Sequence, residues 1–257
     1  MFLDFLKIYK NLGLKKGQII IIASDILRLS IIYKRKKEKF DGNKFIDQIL
    51  EYLGPEGTLL INAFNWDYCH GKKYDPKISL AKTGSLGNLA IKRSDFKRSQ
   101  NPIYSFMVKG YHAKDITNMR HSNCFDIKSP FGFMIKNKAK YLFVDIDYKK
   151  TGFPLVHVAE QTCKVPYRYF KNFKIKFLGK QNKIKKIKMF VKNLKFKFDI
   201  KLKKRMDYEL KKINGIKRVK INKINFTLLD CNKAYKLMKS DLLKKEYKLV
   251  NLKKNNV

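Results

Sequence analysis

The sequence is poor in acids, cysteine and long apolar runs. Among its 257 residues, no apolar segment approaches the roughly 18–20 residues that a membrane helix needs. The longest, Gln18–Ala23, has the length of a strand. Met1–Lys7 carries an acid inside its apolar stretch and has neither a basic leader nor a small-residue cleavage pattern. No signal peptide and no membrane span are therefore expected, and the expected compartment is the cytoplasm. The cysteines Cys69, Cys124, Cys163 and Cys231 are scattered, with no C-x-x-C pair. That spacing supports neither a disulfide scaffold nor a zinc ribbon, and reduced thiols are expected. Also absent are a Pro/Gly/Ser-rich linker and an internal repeat.

Acids number 21 against 59 Lys and Arg, a formal charge of +38. Such an imbalance suits a polyanionic partner: nucleic acid, an anionic membrane or a phosphate-bearing ligand. Most of the excess is lysine, however, and Asn and Ile are abundant too. These three share A/T-rich codons, so genome composition is the simpler source. Base readers enlist Arg forks, and Arg is sparse here.

Hydrophobic residues make up 44% of the chain and aromatics 13%, enough for a folded core. The front reads as α/β. A helix is expected over Phe2–Leu12, ended by Gly13, and another over Phe45–Leu53. Strands are expected at Ile19–Ala23, Thr58–Phe64, Ser105–Gly110 and Tyr141–Ile146. Short helices are expected at Gly84–Arg93 and from Leu155 to Glu160. Alternating strands and helices predict a mixed central sheet flanked by helices. From Lys171 onward the composition shifts, with 29 Lys and Arg against 6 acids. Here Lys alternates with apolar residues over Phe173–Phe177, Ile184–Met189 and Leu194–Phe198, the period of strands with one wet face. Gly179 marks a hairpin. Helices Lys203–Ile213 and Asn232–Leu243 follow, with a strand Lys223–Leu229 between them. The expected organisation is one domain over 1–257: an α/β core at 1–170, then a basic α+β part at 171–257 containing the Lys-rich antiparallel strands.

Four histidines limit the chemistry. His157 and Glu160 stand three apart and share a face if the segment is helical. A carboxylate beside imidazole orients the ring, an arrangement that suits a general base near neutral pH. A surface pair is the plainer reading of so short a pattern. His112, His121 and the Cys69–His70 pair match no standard zinc spacing, so no metal is expected. No cysteine has the local signature of a nucleophile. Lys82-Thr-Gly-Ser-Leu-Gly87 leads into a helix and could hold an anion or simply cap it. Arg98-Ser-Gln-Asn-Pro-Ile-Tyr-Ser105 is a basic turn entering a strand, fit for a ligand phosphate or for a plain loop.

Taken in order, these segments resemble a family. Leu12-Gly13 to Gly17 with strand Ile19–Ser24 comes first, then Leu53-Gly-Pro-Glu-Gly-Thr-Leu60 with Asn62-Ala-Phe64. Lys82–Gly87, Arg98–Ser105 with Gly110, Ser129-Pro-Phe131 and His157-Val-Ala-Glu160 follow in register. The chain from about Leu12 to Phe173 resembles the aminoglycoside 3-N-acetyltransferase family, including its branch of amino-sugar N-acyltransferase-like proteins from polysaccharide gene clusters. The resemblance implies transfer of acetyl from acetyl-CoA, as co-substrate, to an amine of an aminoglycoside or other amino sugar. His157 matches the family's catalytic base and Glu160 its companion carboxylate. Ser24, Thr83, Gly84, Ser85, Arg98 and Ser99 match stretches lining the CoA side. Asn65, Asp67, Asn101 and Tyr104 are the matching candidates for acceptor contact. The chain departs from the family at Ala23-Ser-Asp25, where His-Ser-Ser is usual, at Asn101, where His is common, and at Ala63, where Thr is common.

The basic surface suits CoA and nucleotide-linked sugars better than polycationic drugs, although Asp67, Asp75 and Asp126 could line a local acidic patch. Nucleic acid binding through the basic C-terminal part, with Phe173, Phe177, Phe196 and Phe198 as stacking rings, is the alternative from another class. It fails if those rings share the buried face. A catalytically silent paralogue is the third reading.

Overall fold

The computed structural model describes residues 3–150, 153–178, 183–195, 198–202 and 204–254, and for 198–201 and 250–254 the backbone alone. The first half runs α1 (Phe5–Leu12), β1 (Ile19–Ser24), α2 (Leu27–Arg35), α3 (Gly42–Leu53), β2 (Thr58–Asn62), α4 (Ser85–Ile91), β3 (Lys97–Arg98), β4 (Phe106–Gly110), α5 (Ala113–Asn118), α6 (Pro130–Lys136) and β5 (Lys140–Val144). The second half runs α7 (Leu155–Thr162), β6 (Arg168–Lys176), β7 (Ile184–Lys192), β8 (Phe198–Leu202), α8 (Lys204–Lys212), β9 (Ile216–Ile221), β10 (Ile224–Asp230), α9 (Cys231–Leu243) and β11 (Val250–Lys254).

The local chemistry sets several of these boundaries. Asp4 caps α1 by accepting from the Lys7 N–H at 2.9 Å, and the helix ends at Gly13, whose φ is +74°. That left-handed turn is open to glycine without a Cβ penalty. Phe5, Ile8, Tyr9 and Leu12 form its buried stripe, at the spacing of one helix face. Asp41 caps α3 in the same way, accepting from the N–H groups of Asn43 and Lys44.

The central sheet has seven strands in the order β3-β4-β2-β1-β5-β10-β9. β1 is parallel to β2 and to β5, while β4 and β10 run antiparallel to their neighbours. Every residue of β1 is buried, as a central strand covered on both faces requires. Ile19, Ile21 and Ala23 enter one core, and Ile20 and Ile22 enter the other. The first core also holds residues of α6, α7 and α9; the second is closed by α1, α3 and α4. Among the described residues no helix is long and apolar enough to cross a membrane.

The sheet is mixed and helix-flanked, as expected, with a difference at the back. β10 pairs with β5, and β9 with β10, so two strands from the Lys-rich part complete the central sheet. The change in composition near Lys171 is therefore not an edge of the fold. β6 and β7 pair antiparallel along their full length; the hairpin turn expected at Gly179 lies outside the described residues. Of the strand expected over Leu194–Phe198, Leu194 and Lys195 form a turn and residues 196 and 197 lie outside the description. The strand begins at Phe198 and pairs with β11.

Candidate active site

α7 opens after Pro154 and buries Leu155, Val158 and Ala159 in the first core. That burial leaves His157 and Glu160 to turn the other way. Glu160 is nonetheless fully buried, and the His157 side chain retains 26% exposure. His157 Nδ1 lies 2.8 Å from Glu160 Oε2. Arg168, the first residue of β6, brings its Nε to 2.7 Å from the same oxygen. The Tyr167 hydroxyl donates to Glu160 Oε1 at 3.3 Å. Arg168 also donates to the Phe190 carbonyl of β7 at 3.1 Å, which fixes the guanidinium from behind.

Burial pushes the Glu160 carboxyl up, but His157 and Arg168 outweigh it and hold the group below its ordinary range. Burial and the Arg168 charge lower the His157 ring against the opposing pull of Glu160. Both directions favour a neutral imidazole beside an ionised carboxylate at neutral pH. An ionised carboxylate accepts from Nδ1–H, which leaves Nε2 with its lone pair. That is the tautomer of a base.

His157 lies in the wall of a cleft whose other walls are aromatic: Phe64, Trp66, Tyr104, Tyr148 and Phe153. Lys149, Lys150, Arg168 and Thr83 complete it. The Trp66 indole N–H donates to the Tyr104 hydroxyl at 3.1 Å, with the rings edge-on at 6.0 Å. Tyr104 is buried, whereas Trp66 keeps 40% of its surface exposed. Thr83 Oγ1 accepts from the Phe64 N–H at 3.1 Å, so the hydroxyl hydrogen is left to donate elsewhere. Beside the cleft runs a groove lined in part by Ser24, Gly84 and Ser85. Thr83 of the cleft is followed in the chain by Gly84 of the groove. Gly84 has φ +106°, and a Cβ there would meet the Ser24 carbonyl at 2.9 Å. Only glycine fits this crossing.

The remaining residues singled out from the sequence fall elsewhere. Arg98 donates to the Ser105 hydroxyl at 2.9 Å, the Ser79 carbonyl at 2.6 Å and the Ala63 carbonyl at 3.2 Å. Ser99 is buried, and its hydroxyl accepts from the Phe106 N–H. Asn101 is buried and accepts from the N–H groups of Ile103 and Tyr104. Asn65 donates to the Leu80 carbonyl and accepts from the Asp67 N–H. Asp67 pairs with Lys72 at 3.4 Å and Lys82 at 3.5 Å. These five make protein contacts around the cleft's supporting loops. Tyr104 and Thr83 stand in the cleft with the His157–Glu160 pair.

Arg168, Tyr167, Trp66, Tyr148 and Phe153 carry no sequence pattern tying them to His157; only the fold assembles them. Among the described residues no three His, Cys, Asp or Glu side chains gather as a metal site. Burial pushes the Cys124 thiol up to about 12 and the Cys69 thiol up to about 11, which disfavours the thiolate a nucleophile needs. Of the rings on the Lys-rich strands, Phe173 and Phe177 pack partly against the first core. Phe196 and the Phe198 side chain lie outside the described residues.

The family model for aminoglycoside 3-N-acetyltransferases matches residues 33–242. No curated protein matches the chain. Solved structures do. The apoenzyme of aminoglycoside acetyltransferase AAC(3)-IVa is 18% identical, with 94% of this chain and 88% of that one covered and a TM-score of 0.71. YokD from Bacillus subtilis is 17% identical over 93% of this chain and 97% of its own, with a TM-score of 0.74. AAC-IIIb, solved as a binary complex with CoASH, is 18% identical over 93% and 95%, with a TM-score of 0.72. At such identities the likeness is one of fold.

Proposed function

Because the chain belongs to the aminoglycoside 3-N-acetyltransferase family, we propose that it moves acetyl from acetyl-CoA to the amine of an amino sugar, with His157 as general base. The observation that carries this reading is the His157 ring in the wall of an aromatic cleft, its Nδ1 held 2.8 Å from the fully buried Glu160 carboxyl.

A sugar amine near neutral pH is largely protonated, and only its neutral form is a nucleophile. Once neutral, its nitrogen attacks the thioester carbonyl carbon and a proton leaves the nitrogen for His157 Nε2. Glu160 stabilises the imidazolium that results, and Arg168 keeps that carboxylate ionised. Negative charge gathers on the former carbonyl oxygen. The Thr83 hydroxyl, its own oxygen already engaged by the Phe64 N–H, is the cleft's side-chain donor for that oxyanion. Collapse breaks the C–S bond, and the imidazolium returns its proton to the departing thiolate. An amide and a free thiol are formed, and no acyl-enzyme is required.

The groove at Ser24, Gly84 and Ser85 is the proposed seat of acetyl-CoA. Gly84 follows the cleft's Thr83, so a thioester seated here would reach toward an amine held in the cleft. The complex of AAC-IIIb with CoASH supports a CoA site in this fold. Arg98 and Ser99 stand outside this groove, bonded to Ser79, Ala63, Ser105 and Phe106. The test pairs thermal shift by acetyl-CoA with mass analysis of an amino sugar after incubation. Stabilisation by acetyl-CoA and an N-acetylated product support the reading. No stabilisation and no product contradict it.

A further inference from the structure

We propose that the acceptor is an amino sugar bearing a phosphate, and not a polycation. This inference rests on the acetyl-transfer reading above and narrows its substrate class.

Recognition of a polycation needs carboxylates that can face its ammonium groups. Among the described residues lining the cleft, the carboxylate is Glu160. It has no exposed surface, and its two oxygens are held by His157, Arg168 and Tyr167. Acids close by are engaged as well. Asp67, next to Trp66, pairs with Lys72 and Lys82. Asp207 accepts from the Tyr148 hydroxyl at 2.5 Å and pairs with Lys149 and Arg218 at 3.0 and 2.7 Å.

Against this, the cleft wall carries Lys149, paired with Asp147 and Asp207, Arg168, paired with Glu160, and the exposed Lys150. The whole chain adds a field of +38 formal charges. A ligand with several ammonium groups would enter that field and find, among the described residues at the cleft, carboxylates already paired with lysine or arginine, a mismatch that disfavours such partners. A phosphate is drawn in by the same field and met by lysine. The sugar itself has a place on Trp66. Its indole is fixed by the hydrogen bond to Tyr104 yet remains 40% exposed, an apolar plate suited to the C–H face of a pyranose. The cleft thus pairs aromatic surface for the ring with cationic surface for an anion.

The test follows thiol release from acetyl-CoA by the full chain with four acceptors. These are an amino-sugar 1-phosphate, the same amino sugar linked to a nucleoside diphosphate, its uncharged methyl glycoside, and gentamicin. The expected kcat/KM for at least one phosphate-bearing acceptor exceeds those of the glycoside and gentamicin by about tenfold or more, and the gap narrows as salt is raised. Which of the two phosphate forms leads distinguishes a simple phosphate from a nucleotide. Lys150→Glu is expected to lower the phosphate-bearing rate mainly through KM. Equal or better turnover of gentamicin, or no difference between phosphate and methyl glycoside, overturns the proposal. Silence with all four acceptors while acetyl-CoA still stabilises the protein overturns the acceptor class alone. Silence with no stabilisation by acetyl-CoA overturns the acetyl-transfer reading beneath it.

Discussion

Arg168 Nε stands 2.7 Å from Oε2 of Glu160, the oxygen that also holds the His157 ring. The guanidinium acts on the His157 ring through the carboxylate and through its own charge, which lowers the ring's proton affinity. Arg168→Gln removes that charge. The acid limb of kcat/KM against pH is then expected to move to higher pH, because the ring stays protonated longer. A role limited to packing would lower the rate equally at every pH and leave the limb in place.

Thr83 tests the oxyanion assignment. Thr83→Val removes the hydroxyl and is expected to lower kcat about a hundredfold, with KM for acetyl-CoA changed little. Thr83→Ser keeps the oxygen and should restore most of the rate. A serine variant as slow as the valine one would assign the loss to packing around Phe64.

Acid stability follows from the two buried groups. The folded His157 lies below its ordinary value of 6.5, and the folded Glu160 below 4.5. In both cases the unfolded chain binds the proton more readily. Stability is therefore full above those ordinary values and falls as the pH drops, first through the histidine window below 6.5 and then below 4.5. In urea titrations from pH 7 downward, His157→Asn should reduce the first decline, to which the partly buried His121 also contributes, and keep the second. An unchanged slope below 6.5 would mean that His157 is not held neutral by the fold.

Arg98 ties three segments together through Ser79, Ala63 and Ser105. Arg98→Met is expected to cost about 3 kcal/mol, since charged hydrogen bonds are lost and carbonyls are left unmet. For a chain of this size that lowers Tm by about 6–10 °C. Acetyl-CoA titration of the folded variant separates support from contact. An affinity close to that of the wild type fits the protein contacts seen here, and a large loss at intact fold would make Arg98 a direct ligand.

The legible parts of the fold were those whose pattern is local. The run Ile19–Ala23, the stripe of α3 and the three-residue spacing of His157 and Glu160 each state their own geometry. β9 was missed because Lys217, Arg218 and Lys220 dilute its apolar positions, and its place in the sheet depends on β10. α2 was missed because Leu29 and Tyr33 are its only buried residues. Arg168 carries no signal either: a cation eight positions after Glu160 means nothing until the chain reverses at the start of β6. From the sequence Arg98 reads equally as a phosphate ligand or as part of a plain loop, because a sequence does not display carbonyls. Ala63 and Ser79, which occupy the guanidinium, are far from it along the chain.

The most direct measurement is the turnover of acetyl-CoA with an accepted amino sugar by the wild type and by His157→Ala, both with acetyl-CoA thermal shift measured alongside. The account predicts a loss in kcat of about a thousandfold while acetyl-CoA still stabilises the variant. A variant that keeps its rate within a few-fold of the wild type would contradict the assignment of His157 as the base.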